Sequence, residues 1–155
     1  MSAVRFDARP VAAGDEEFDI GISDDGQVFT LRFAGMQAVV DAGKASDLTA
    51  ARVFSAVLRL DGADTGVDIS FATAGSAFAT EGASGTAILS VNGQTAVRQF
   101  QAGTDEEFAQ QLRFQAGPTA ACHLSLVALV QRDPAHPEAS ATLLLSTVDA
   151  AIQPR

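Results

Sequence analysis

The sequence predicts an all-β chain folded as an antiparallel two-sheet β-sandwich, Ig-like or jelly-roll-like, with about ten to twelve strands. Three observations predict it. Apolar residues alternate with period two along most of the chain, turn-forming residues fall between those runs, and helical periodicity is scarce. No linker or break in composition divides the 155 residues, so 1–155 reads as a single β-sandwich domain. A chain of this length buries roughly 70% of its unfolded surface and needs neither disulfide nor metal to hold a core.

The alternation is clearest in three segments. In GQVFTLRFAG, Phe29, Leu31 and Phe33 share one face, and Gln27, Thr30 and Arg32 are the polar members around them. In ARVFSAVLRLDG, Phe54, Ala56, Leu58 and Leu60 face one way while Ser55 and Arg59 face the other. In GVDISFATAG, Val67, Ile69 and Phe71 alternate with Asp68 and Ser70. Each reads as a half-buried strand with one dry and one wet face. With Leu124 and Leu126, the residues Phe29, Leu31, Phe33, Phe54, Leu58, Leu60, Ile69 and Phe71 form the predicted core.

Turns separate these runs. Asp24-Asp25-Gly26 precedes one strand and Asp61-Gly62 follows another. Asn92-Gly93, between AILSV and QTAVRQF, is the strongest hairpin signal, because both residues accept positive φ. Two prolines in Asp133-Pro134-Ala135-His136-Pro137-Glu138 forbid continuous pairing, so a wider loop joins CHLSLVALVQ to ATLLLSTVDAAI. The best helical candidate is SDLTAARVF, where Ser46 or Asp47 would cap one short turn. The segment DEEFAQQLRF is ambiguous. As a strand it sets Phe108, Leu112 and Phe114 on a dry face with Gln110 the weak member; as a helix it pairs Phe108 with Leu112. Flanking Gly103 and Gly117-Pro118 favour the strand. The runs LVALV and LLLS are apolar on both faces, which fits central covered strands or an oligomer interface.

One phrase occurs twice: AGDEEF at 13–18 and AGTDEEF at 102–108. In both, a glycine starts a turn, acids keep it wet, and a phenylalanine opens the dry face of a strand. Phe18-Ile20-Ile22 and Phe108-Leu112-Phe114 continue in step. The phrase reads as one solution to opening a strand, used twice, and not as two halves of an active site.

Composition excludes several classes of function. The formal charge of −9 repels phosphate backbones and anionic lipid, so neither nucleic acid nor membrane is an expected partner. Ten Phe with no Trp and no Tyr point to aromatics packed inside and away from a stacking-type sugar site. The single cysteine allows no disulfide within the chain. The opening MSAVRFDARPVAAGDEEF lacks the basic start and apolar core of a signal peptide, and the longest apolar run, LSLVALV, is far short of a membrane span. The chain as given reads as cytoplasmic, and as secreted if a signal peptide has been removed.

Catalytic chemistry has few candidates. Cys122 and His123 are neighbours on a predicted strand and therefore point to opposite faces, so they form no dyad with each other. Cys122 alternates with Leu124 and Leu126 and reads as a small buried hydrophobe. His123 reads as a sheet-surface residue, and His136 as a solvated loop residue. The sequence contains no nucleophile elbow, phosphate loop, dinucleotide fingerprint or zinc-helix motif. Calcium is the one ion with a plausible donor set, since it takes hard oxygens gathered from turns. Asp61-Gly62-Ala63-Asp64-Thr65-Gly66 is compact enough to curl around it, and Asp24 and Asp25 are further candidates; a plain hairpin turn explains the same residues without an ion.

The order of motifs ISDDGQVFTLRFAGMQAVVDAG, RVFSAVLRL, FQAGTDEEFAQQLRFQAGP, ACHLSLVAL and LLLSTVDAAI resembles small secreted β-proteins of bacteria and fungi known as domain of unknown function 4360, over about residues 20–152. That resemblance implies a β-sandwich and, since the family has no established activity, no chemistry. The chain departs from the pattern at two points. The sequence as given shows neither a signal peptide like the family's nor the family's richness in cysteine and aromatics, and it carries Val53 and Phe54 where a cysteine is expected. The resemblance thus implies a disulfide-free branch in which Cys122 has no partner.

Three functions are compatible with these residues. The first is a non-enzymatic binding or interaction module that meets a protein partner or a copy of itself. The second is an acidic inhibitor or immunity-type protein steered onto a basic enzyme. The third is a calcium-dependent carbohydrate binder.

Overall fold

The computed structural model describes residues 4–7, 11–13, 16–43, 48–61, 67–116 and 121–153. Eleven strands are found among them: β1 (Arg5–Phe6), β2 (Val11–Ala13), β3 (Phe18–Ile22), β4 (Val28–Val40), β5 (Thr49–Asp61), β6 (Val67–Ala79), β7 (Ala83–Val91), β8 (Gln94–Phe100), β9 (Asp105–Ala116), β10 (Ala121–Arg132) and β11 (Ala141–Gln153). The chain is all-β, as its alternation predicts. The segment beginning at Asp105 is a strand. So is the segment from Thr49, which corrects the helical turn expected in SDLTAARVF; Ser46 and Asp47 lie outside the described residues. β-Branched and aromatic residues in Thr49–Leu60 favour a pleated surface over a helix once neighbouring strands cover it.

The strands form two antiparallel sheets. One runs β3-β4-β11-β6-β9, and the other β1-β5-β10-β7-β8, with β2 also paired to β5. From β4 onward, every connection except the β7–β8 hairpin crosses from one sheet to the other. The orders 4-11-6-9 and 5-10-7-8 are those of a jelly roll, a double-sheet architecture of two Greek keys. The hairpin falls where Asn-Gly predicts it. Val91 pairs with Gln94, leaving Asn92 (φ 47°) and Gly93 (φ 85°) as a two-residue turn with both φ positive. Asn92 also ties this turn to β10, donating from Nδ2 to Ala121 O (3.1 Å) and accepting from His123 N (2.7 Å).

The inner faces interleave into one core. Phe29, Leu31, Phe54, Leu58, Ile69, Phe71, Leu124 and Leu126 are all buried. Phe33 and Leu60, expected in the core, are partly buried and pack against it. Phe33 adjoins an irregularity where Met36 and Arg32 of β4 face Leu145 and Thr147 of β11. Ser146 is the extra residue relative to β6, where Gly75 and Ala74 are the corresponding neighbours. It flips the inward parity of β11 from Leu143 and Leu145 to Val148 and Ala150. β4 changes parity at the same level, from Phe29 and Leu31 to Met36 and Ala38. Gly75 sits beside this bulge because nothing larger fits: a Cβ there would lie 2.1 Å from Leu144 O and 3.1 Å from the Phe108 ring.

Gln110 is buried on the inner face of β9, where the sequence marks it as the weak member of its strand. Its Nε2 donates to Ala87 O of β7 (3.1 Å) and Ala96 O of β8 (3.3 Å), and its Oε1 accepts weakly from Thr73 Oγ1 of β6 (3.5 Å). A buried amide is tolerated there because its hydrogen bonds join one sheet to the other.

Candidate functional site: an uncharged sheet face

The residues singled out by sequence are placed as follows. Asp24 and Asp25 occupy the β3–β4 turn, and Asp61 ends β5 opposite Arg5. β1 brings these two places to the same end of the sandwich: Arg5 pairs with Asp61, and the N–H of Phe6 donates to Gly26 O (2.8 Å). Asp64 lies outside the described residues. The Asp25 carboxylate closes its own turn, accepting from Ser23 Oγ (2.6 Å) and Gln27 N (3.0 Å). The hydroxyl of Ser23 and the Gln27 amide hold that carboxyl below its usual range. Among the described residues, no three His, Cys, Asp or Glu side chains gather around one point.

Cys122 is buried on the inner face and His123 exposed on the outer one, as their alternation predicts. Burial pushes the Cys122 thiol up to about 11. His136 sits in the β10–β11 loop with its ring against Gly82. Its Nδ1 lies 3.0 Å from Glu138 Oε1, and that carboxylate raises the imidazole above its ordinary value.

The repeated acidic phrase opens β3 and β9, the two opposite edge strands of one sheet. The two copies therefore lie apart, separated by three intervening strands. Each copy clasps the facing sheet in the same way. Glu16 takes a bidentate bond from Arg52 of β5, and Phe18 meets Phe54 two residues further on, ring centroids 5.3 Å apart. Glu106 takes a bond from Arg98 of β8 (3.0 Å), and Phe108 meets Phe100 two residues further on, centroids 4.7 Å apart. An E-x-F opening on one sheet thus meets R-x-F on the other at both sides of the sandwich. The R-x-F pairs in RVF and RQF are the signal that links the two phrases, and sequence reading alone left them unconnected.

The outer surfaces of the two sheets differ sharply. On the β3-β4-β11-β6-β9 sheet the outward positions include Asp19, Arg32, Asp68, Asp105, Glu107, Arg113 and Asp149, together with exposed Val28, Val39 and Phe78, a mixed and charged face. On the β5-β10-β7-β8 sheet the outward positions fall in rows set by the register. Val53, Val127, Ile88 and Val97 stand directly opposite one another across all four strands. Ser55, Ser125, Ser90 and Thr95 form the next row, with Ser90 Oγ 3.1 Å from Thr95 Oγ1. Ala51, Leu129, Thr86 and Gln99 form the row on the other side. Between the row of Thr49, Gln131 and Ser84 and that of Val57 and His123, these outward positions carry no Asp, Glu, Lys or Arg. Arg59, opposite Ala121, is the first charge beyond. The ends of the apolar stripe are open, with Val53 53% and Val97 56% exposed.

No family model and no curated protein matches the chain. Among solved structures, the chain has a distant likeness to the crystal structure of the enzymatically active domain of tailspike protein 4 from bacteriophage CBA120. It is 9% identical, with a TM-score of 0.35, over 94% of this chain and 19% of that one. The chain thus spans about a fifth of that protein's length, a likeness too small to bear on function.

Proposed function

We propose that this chain is a non-enzymatic interaction module whose contact surface is the outer face of the β5-β10-β7-β8 sheet. The observation that supports the reading is the lack of charge on that face in a protein of net charge −9. An ordinary wet face of an antiparallel sheet carries charged residues, as the opposite sheet does with its Asp, Glu and Arg. A contiguous uncharged patch crossed by a Val-Val-Ile-Val stripe is the composition of an interface centre, where charged residues are depleted. The chemistry-bearing side chains supply little to compete with this reading: Cys122 is buried with its thiol held protonated, and His136 is engaged by Glu138.

The test is a photo-crosslinking amino acid placed at Val97, and separately at Gln111 on the opposite sheet, in cells that make the protein. The expected result is one defined product from the Val97 position, identified by mass, and none from Gln111. No product from Val97, or equal products from both, would overturn the assignment of the contact face.

A further inference from the structure

We propose that the occupant of the uncharged face is a second copy of this chain, docked face to face. The proposal rests on the reading of that face as the contact surface and names what covers it.

Charge is the first argument. A basic partner would be met by carboxylates, yet, apart from Asp61 at the far end of β5, the Asp and Glu residues at outward strand positions stand on the other sheet. A copy of the same chain brings a like charge of −9, so two copies approach most easily on a surface free of carboxylates. The face excludes Asp and Glu from its outward positions over five successive rows, which a basic partner would not require and a second copy does.

Shape is the second. The stripe Val53-Val127-Ile88-Val97 runs straight across the strands. A two-fold axis lying in the plane of the face, along that stripe, sets each of the four side chains against its own copy. The same rotation brings the Ser55-Ser125-Ser90-Thr95 row of one copy over the Ala51-Leu129-Thr86-Gln99 row of the other. Neither row carries a charge that would be stranded, and hydroxyls and amides can pair across the rim.

Area is the third. Four strands at about 4.8 Å spacing and nine residues of β10 at about 3.4 Å each give roughly 590 Å² per copy. Two copies then bury about 1,200 Å², a little above the roughly 1,000 Å² that a specific interface needs. The expected association is consequently a dimer of modest affinity.

Sedimentation velocity or light scattering over a wide range of concentration tests this on the purified full chain. The wild type should show a concentration-dependent species of twice the chain mass. Its association should hold or tighten with added salt, since no ion pairs form it and salt screens the like charges of the two copies. Val97→Asp places a carboxylate at the stripe and should weaken the dimer by at least about 100-fold. Phe78→Asp, at an exposed position of the other sheet, should leave the dimer intact. Circular dichroism and the melting temperature establish that both variants fold; should Val97→Asp fail to fold, Val53→Asp at the other end of the stripe takes its place. A wild type that stays monomeric throughout, or a dimer split by Phe78→Asp and not by Val97→Asp, would overturn the proposal. A monomer whose Val97 position still crosslinks a different protein in cells overturns the second copy alone. If Val97 yields no crosslink at all, the underlying reading of the face falls with it.

Discussion

Gln110 offers a quantitative test of how the two sheets are joined. Its amide nitrogen donates to carbonyls on two strands of the facing sheet, at 3.1 Å and 3.3 Å. Two acceptors on one side fix which end of the amide is nitrogen. Gln110→Leu keeps most of the volume but leaves both buried carbonyls without this donor. An unsatisfied buried polar group costs about 1–3 kcal/mol, so the substitution should cost about 2 kcal/mol in all. For a domain of this size that is a fall of about 4–8 °C in melting temperature. Gln110→Ala should cost about 2.5 kcal/mol more than Gln110→Leu, for the three carbons beyond Cβ that leucine keeps in the core. The Thr73 hydroxyl lies 3.5 Å from Gln110 Oε1, at the outer limit of a hydrogen bond, so Thr73→Val should cost under about 0.5 kcal/mol. The assay is denaturant unfolding with a parallel thermal scan. A Gln110→Leu variant that melts within about 1 °C of wild type, or a Thr73→Val variant as costly as Gln110→Leu, would refute the bridging role.

Other expectations are simpler. Gly75→Ala should destabilise by about 3 kcal/mol, because its Cβ would collide with Leu144 O, a backbone atom that cannot swing aside; a wild-type melting temperature would contradict this. Cys122 should resist alkylation in the folded protein at pH 8 by at least about 100-fold relative to the unfolded chain, since burial holds the thiol protonated; mass spectrometry of the labelled protein reads this. In an NMR titration His136 should lose its proton above its ordinary value, and Glu138→Gln should lower that midpoint. The sign follows from linkage: a raised folded-state pKa contributes stability below the unfolded value, and that contribution fades as pH rises through the folded one.

The legible part of this fold is the part written locally. Alternation within Val28–Phe33, Thr49–Leu60 and Val67–Phe71 is visible because a strand's side chains repeat every second residue. The Asn92-Gly93 turn is visible because two adjacent residues must both accept positive φ. The Ser146 bulge is hidden, since a one-residue parity change inside LLLSTVDAAI reads as uninterrupted apolar chain. Phe33, on the strand beside it, is only partly buried against the core. The uncharged face was equally hidden. Val53, Ile88, Val97 and Val127 come from four separated segments, and no spacing along the chain predicts that β10 will set three of them in one line. The apolar-on-both-sides character of LVALV was the available hint, and it left open whether the second side was covered. Asp24 and Asp61 were grouped by composition, and it is β1, a strand of two residues, that places their turns at one end.

The strand order also governs when this protein can fold during its synthesis. β11 lies at the centre of its sheet between β4 and β6, and β10 lies between β5 and β7 in the other. The last two strands of the domain to leave a ribosome are therefore the ones that hold both sheets together. Until residue 153 has emerged, β4 and β6 share no partner, and their long apolar inner faces wait uncovered. Only the β3–β4 and β7–β8 hairpins can form from neighbouring sequence as it appears. Folding must then await the whole domain and proceed mainly through distant pairings, a route that is slow and exposes unpaired strands to aggregation. A nascent chain stalled before β11 should be a client of chaperones in a way that the finished domain is not.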